Sequence, residues 1–289
     1  MNSLSVWIAG ARPRTLPAAI SPVLVGSALS HQDHRSFNAL NGLLALAVSL
    51  LLQIAVNFAN DYSDGIKGTD DNRVGPTRLV ASGLASAKSV KNAAFLSFAL
   101  AGICGVVLAA RVSWWLVAVG AISIVAAWTY TGGKKPYGYS GLGEVSVFLF
   151  FGLVATMGSY VVQSHRVTWQ SLLVSLPVGA LACSLLAINN LRDRPKDELV
   201  GKRTLAVRLG DKRARRVLIT LLIGAQVFAL LAMVISKWTA LTLILLPLTW
   251  NVVQGIRGGA VGAELIPMLG KVGKLQLLLS STLALALLL

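Results

Sequence analysis

Four amide and carboxylate side chains close a long apolar run in the stretch Asn57-Phe-Ala-Asn60-Asp61-Tyr62-Ser-Asp64-Gly65. Asn57, Asp61 and Asp64 are spaced by four and then three residues, which on a helix puts them on one face over its last two turns. A second group lies far along the chain, Asn189-Asn190-Leu-Arg192-Asp193-Arg194-Pro-Lys196-Asp197. Asn189, Asp193 and Asp197 step by four there, which gives one face again if Pro195 leaves the helix intact. Oxygen-only donors suit Mg²⁺, which keeps several waters and binds through one or two carboxylates plus substrate phosphates. Two acidic helix ends facing each other would hold a diphosphate between them through bridging Mg²⁺ ions. Asp and Asn are also ordinary helix caps. Two such groups on separate apolar segments, each backed by an Asn one turn earlier, favour the metal. Asp61, Asp64, Asp193 and Asp197 are thus the candidate metal-binding and catalytic carboxylates, with Asn57, Asn60 and Asn189 in support.

A diphosphate needs cations, and Lys67, Lys134, Lys202 and Arg203 stand near the two groups in sequence. Each also reads as an ordinary charge flanking a membrane span. Glu144 opens a very apolar run, where it suits either the positive end of a helix dipole or a substrate contact. Tyr62 sits inside the first acidic group, where a ring face would stabilise a developing cation. Tyr130 and Tyr137 suit an interfacial aromatic belt.

The elements that must hold these groups are membrane helices. The chain has 289 residues, is 55% hydrophobic and 13% charged, and its mean hydropathy is +0.71. Nine apolar spans are expected, approximately 15–30, 38–60, 92–110, 114–131, 142–163, 170–190, 215–236, 239–256 and 271–289. The first should be broken near its start by Pro17 and Pro22. They make one multi-pass, all-α membrane domain over 1–289 with no separate soluble unit. A net charge of +15 would suit nucleic acid, but the basic residues flank apolar spans, so the partner is the lipid bilayer. Only Arg35, Arg111, Arg166 and Lys237 fall on one side of the spans; the other Lys and Arg fall on the opposite side. The positive-inside rule then puts the N-terminus in the cytoplasm and, with nine spans, the C-terminus outside. Every acid except Asp33 lies on the cytoplasmic side, and all three histidines lie on the other. Cys104 and Cys183 sit inside apolar spans, which excludes a disulfide framework.

At these residues the chain resembles the UbiA superfamily of intramembrane aromatic prenyltransferases, and within it the 1,4-dihydroxy-2-naphthoate polyprenyltransferases of menaquinone synthesis. The resemblance rests on Arg12-Pro-Arg14-Thr-Leu-Pro17, Asn60-Asp61-Tyr62-Ser-Asp64-Gly65-Ile-Lys67-Gly68 and Tyr130-Thr-Gly-Gly-Lys134-Lys-Pro136-Tyr137-Gly. It continues in Gly141-Leu-Gly143-Glu144 and in Asn189-Asn190-Leu-Arg192-Asp193 through Gly201-Lys202-Arg203-Thr204 to Gly210. The family pattern has a further aspartate where this chain has Gly68, so either Asp70 or Asp71 is left to complete the first metal site. The resemblance implies a polyprenyl diphosphate donor whose tail stays in lipid, and Mg²⁺ as cofactor. It implies that the prenyl chain passes to dihydroxynaphthoate with loss of diphosphate and CO₂, giving demethylmenaquinone at the plasma membrane. Arg14, Tyr130 and Glu144 are the expected contacts of the aromatic acid.

Another aromatic acceptor, such as 4-hydroxybenzoate, is the alternative. A CDP-alcohol phosphotransferase shares Asp61-x-x-Asp64-Gly65 but continues with a second carboxylate pair nearby, which is missing here. A lipid or ion transporter would place its ionisable groups near the midplane. The loop after Asp197 is expected to fold back and bring Lys202 and Arg203 to the site. The loop with Lys67, Arg73 and Arg78 is expected to close over it from the other side.

Overall fold

The computed structural model describes residues 3–34, 37–68 and 77–289. Among them the regular elements are all helical. They run α1 Ser3–Ala11, α2 Pro17–His34, α3 Ala39–Ile66, α4 Ala87–Arg111, α5 Trp115–Thr129, α6 Gly143–Val147, α7 Ala155–Ser164, α8 Trp169–Leu199, α9 Leu205–Leu231, α10 Leu246–Arg257 and α11 Leu265–Leu288. A π-helical turn, Phe148–Val154, joins α6 to α7 in one span. Asp70, Asp71, Arg73 and Arg35 lie outside the described residues.

Seven of the described segments are long and apolar enough to cross a membrane, so the expected count of nine is not supported. The other two expected spans are present as helices, α2 and α5. The last turns of α2 are polar, and α5 has only 15 residues, short of the roughly 20 that an upright crossing takes. Apolar side chains such as Leu43, Ile103, Ile122, Val125 and Ile244 stand exposed around the bundle, as a hydrocarbon solvent requires. The molecule is a multi-pass membrane protein.

α8 is the central helix: 78% of its apolar window is buried, the highest share of any span. It continues through Pro177 and Pro195 to Leu199, so Asn189, Asp193 and Asp197 do share a face. Its end reverses in a Schellman turn. Gly201 takes φ +75°, its N–H bonds to Glu198 O at 3.3 Å, and Lys202 N–H bonds back to Asp197 O at 2.8 Å.

The break near the first span falls before it. Arg12 adopts a left-handed φ of 54°, Pro13–Thr15 form a 3₁₀ turn, and Pro17 opens α2. α1, ahead of that break, was not expected. α9 is likewise broken, at Gly210 with φ 72° and ψ 167°, so helical structure begins ten residues before the expected span. The π-helical turn lies on α8 at a glycine pair: a Cβ on Gly152 would stand 2.6 Å from Gly179 Cα.

Candidate active site

A cavity of about 780 Å³ opens between the helices. Along α3 its lining runs from Asp64 to Ala45, about 28 Å at 1.5 Å per residue. The end near Asp64 is polar and the other end apolar. Asn57, Asn60 and Asp64 of α3 face Asn189, Asp193 and Asp197 of α8 across the polar mouth, although more than a hundred residues separate them in sequence.

Asp61 is not in that lining. It is fully buried and accepts the backbone N–H of Leu79 at 2.8 Å and of Val80 at 3.0 Å. The expected role of Asp61 as a cavity carboxylate is corrected. At about 100° per residue, Asn57, Asn60 and Asp64 cluster tightly, and Asp61 lies at the edge of their arc. That edge belongs to the segment 78–80. Gly65, one turn on, permits the docking, because a Cβ there would meet Val80 Cβ at 2.6 Å. The docked segment brings Arg78 to 3.6 Å from Asp64 Oδ2.

Asp64, only 4% exposed, is thus surrounded by donors. Besides Arg78, the Tyr139 hydroxyl donates to Oδ1 and Lys202 Nζ reaches the same atom at 3.1 Å. Lys202 also stands 4.7 Å over the Tyr139 ring. Tyr139 is a site residue that the sequence did not single out; it lies between the two motifs that end at Gly138 and begin at Gly141. Asp193 accepts two hydrogen bonds from the neighbouring Arg192 guanidinium, at 2.7 and 2.8 Å. Asn57 donates to Ala11 O and Thr15 Oγ1 and accepts from Gln53, so it also ties α3 to the Arg12–Thr15 turn. Asn60 Oδ1 accepts from Thr131 Oγ1 at 2.8 Å.

Of the four expected diphosphate residues, Lys202 alone lines the cavity. Lys67 donates to Thr131 O at 2.7 Å and lies 5.0 Å over the Tyr139 ring, which locks the end of α3 to the 130–139 loop. Partial burial pulls its pKa below the ordinary lysine value, against the pull of Asp64. Lys134 is exposed in the turn after α5. Arg203 is exposed too; its N–H bonds to Tyr139 O at 2.9 Å and its own carbonyl accepts from Arg208. The cations that do line the mouth are Arg12, Arg14, Arg78, Lys196 and Lys202. Arg14 was expected at the site, for the aromatic acid; Arg12 could have been read beside it from Arg12-Pro-Arg14, since a proline between two arginines fixes the turn that aims them.

Arg14 and Tyr130, two of the three residues expected to contact the aromatic acid, line the cavity. Glu144 stands behind it instead, with Oε1 bonded to Asn190 Nδ2 at 2.9 Å and Oε2 buried without a partner. Tyr62 also points away, stacked on Trp128 at 6.2 Å with Lys91 5.6 Å above it.

The donor set fits a hard divalent cation. It consists of carboxylate and amide oxygens, and among the described residues no three acids, histidines or cysteines close on one point. An ion such as Mg²⁺ would take one or two carboxylates here and complete its shell with phosphate oxygens and water.

The UbiA prenyltransferase family model matches residues 19–258. The chain belongs to the UbiA prenyltransferase family. It is 50% identical over 273 residues to the 1,4-dihydroxy-2-naphthoate octaprenyltransferase of Mycobacterium tuberculosis, covering 94% of this chain and 93% of that protein. To the enzyme of the same name from Escherichia coli it is 41% identical over 235 residues, 78% of this chain and 76% of that one. Among solved structures, a UbiA homolog from Archaeoglobus fulgidus bound to DMAPP and Mg²⁺ shares the fold, with TM-score 0.69 and 14% identity over 98% of each chain. Arg12 and Arg14 precede the stretch that the family model matches.

Proposed function

We propose that this UbiA-family protein transfers a polyprenyl chain from polyprenyl diphosphate to 1,4-dihydroxy-2-naphthoate. The reading rests on one cavity that joins an acid- and cation-lined mouth to a long apolar interior, which is the shape and polarity of a prenyl diphosphate. The names of relatives up to 50% identical over nearly the whole chain support the aromatic acceptor. In the reaction the allylic C–O bond breaks, a ring carbon of the naphthoate bonds to the prenyl carbon, and the carboxylate leaves as CO₂. No oxidant enters this balance, so the immediate product is the quinol form of demethylmenaquinone.

Asp64, Asp193 and Asp197, with the Asn60 and Asn189 amides, would hold the metal. Mg²⁺ bound there supplies charge neutralisation for the diphosphate leaving group. Lys202 and Arg78, which stand on Asp64, would give hydrogen bonds to the phosphate oxygens of the donor, and Arg12 and Lys196 would add to them. Tyr139 keeps Asp64 oriented. The apolar walls exclude water, which would otherwise capture the allylic cation as an alcohol. Arg14 and Tyr130 receive the aromatic acid at the mouth, and Glu144 steadies Asn190 from behind. The protein is one domain in the cell membrane, with its mouth and N-terminus on the cytoplasmic side.

The test is a purified protein with Mg²⁺, octaprenyl diphosphate and either dihydroxynaphthoate or 4-hydroxybenzoate. Prenylated naphthoquinol and CO₂ with the first acceptor, both lost on chelation, are expected. Transfer to 4-hydroxybenzoate alone would sink the assignment.

A further inference from the structure

Three glycines line the apolar half of the cavity from three different helices: Gly105 of α4, Gly120 of α5 and Gly158 of α7. Helical glycine lowers stability relative to alanine and is kept where a Cβ would collide with a neighbour. None of these three has that reason, because a Cβ on any of them would meet nothing within 4 Å. The contrast within the same bundle is plain. A Cβ on Gly26 would collide with the α7 backbone, and one on Gly152 would lie 2.6 Å from Gly179 Cα, so those glycines serve close helix packing.

The three also share a depth. Gly105 lies six residues before the end of α4 at Arg111, Gly158 six before the end of α7 at Ser164, and Gly120 five after the start of α5 at Trp115. Each helix end named lies on the side of the bundle away from Asp64. α3 contributes Ala45 at the matching level, six residues after its start at Ala39. Four helices therefore place a glycine or an alanine around one level of the cavity, far from the charged mouth, and leave that level open.

We propose that Gly105, Gly120 and Gly158 form a gauge that sets how long a prenyl chain the cavity admits. The gauge rests on the proposed polyprenyl diphosphate substrate and specifies which of its lengths is accepted. A diphosphate held at Asp64 directs the tail along α3 towards Ala45. The first isoprene units stay on the near side of the glycine level and the later units pass through it. A side chain added there narrows the passage for long tails and leaves short ones untouched; one methylene of misfit in an apolar site is worth about tenfold or more.

The experiment compares the full-length protein with Gly105→Leu, Gly120→Leu and Gly158→Leu in detergent. Each is assayed with geranyl and octaprenyl diphosphates at saturating aromatic acceptor. The expected result is a fall of about tenfold or more in the octaprenyl-to-geranyl ratio of kcat/KM for each variant. Gly102→Leu is the control: it lies one turn from Gly105, also faces open space, but does not line the cavity, and its ratio should equal that of the wild type. Equal losses for both donors, or no change for either, would overturn the gauge. The corresponding alanine variants add a Cβ into open space at better helix propensity, so they fold at least as stably and should shift the ratio in the same direction by less. Binding of non-hydrolysable prenyl thiolodiphosphates of graded length, read by thermal shift, follows the gauge without turnover. Wild-type protein that binds long analogues but prenylates no aromatic acid would refute the proposed reaction and leave the gauge standing. Wild-type protein that binds analogues of every length alike, with the leucine variants doing the same, would refute the gauge.

Discussion

Asp61 and Asp64 stand three residues apart in one acidic motif and serve different ends. Asp61 accepts two buried backbone N–H groups, so Asp61→Ala should leave both without an acceptor at a cost of about 1–3 kcal/mol each. The thermal midpoint in detergent should fall accordingly. Asp64→Asn and Asp193→Asn, which keep the shape of the side chain while removing its charge, should lower turnover about a thousandfold or more. An Asp61→Ala protein as stable as the wild type would remove the structural role assigned to it. The distinction was not legible in the sequence. Spacing gives an arc on a helix, and which edge of the arc meets the cavity depends on a partner segment eighteen residues away. The placement of the second acidic group was legible, because Asn189, Asp193 and Asp197 step by four along a helix that continues through Pro195, and all three line the cavity. Lys202 was legible from Gly201, a residue fit for the left-handed turn that sends the chain back. Arg203 was not, because its own backbone N–H is spent on Tyr139 O and its side chain is exposed away from the site.

Tyr137 gives a pH dependence at the same scale. Its hydroxyl is part-buried, donates to Ala126 O at 2.8 Å and shares a hydrogen bond with Ser146 at 2.9 Å, and burial holds its pKa above the ordinary tyrosine value. A group whose folded pKa is raised contributes stability that is fully present below the unfolded pKa and lost as pH rises through the folded one. The loss should therefore begin near pH 10, about the unfolded tyrosine value. Tyr137→Phe should be less stable at neutral pH by about 1 kcal/mol for the lost hydrogen bond, and its alkaline decline should be shallower. Thermal midpoints between neutral pH and strongly alkaline pH decide it; parallel curves for the two proteins would contradict the assignment.

At the scale of elements, the apolar runs announced the helices, and their ends were set by local chemistry that the runs do not carry. α1 escaped notice because nine residues give too short a periodic signal, and its stop is a left-handed Arg12, not a glycine. α8 was at risk from Pro195 and survives it, while α9 breaks at Gly210, where the positive φ suits a residue without a side chain. The span α6–α7 contains a π-helical turn, and such turns collect at functional sites. Phe150, Phe151 and Val154 of that turn line the cavity. The turn is pressed on α8 at Gly152, where only backbone stands opposite. Gly152→Leu should therefore force α8 and the π-helical turn apart and cost about 1–3 kcal/mol or more, whereas Gly102→Ala should raise the midpoint slightly. A Gly152→Leu protein with wild-type stability would show that the two helices can separate freely.

For the whole molecule, charge sets the orientation. The acidic mouth, the Schellman turn at Gly201 and most of the 26 Lys and Arg share one end of the bundle, while His31, His34 and His165 lie at the other. Basic residues resist transfer across the membrane during insertion, so the proposed orientation has the mouth towards the cytoplasm, where a soluble acid would reach it. The two native cysteines make this testable, since both lie within helices and can be replaced: Cys183 is buried and Cys104 half-buried. In a Cys104→Ser, Cys183→Ser background, a single cysteine at His165 should react with an impermeant thiol reagent in intact cells. A single cysteine at exposed Leu199, beside the mouth, should react only after the cells are opened. Labelling of Leu199→Cys in intact cells would place the mouth outside. The positive charge would then have failed to fix the orientation, and the diphosphate donor would have to be supplied from the other face.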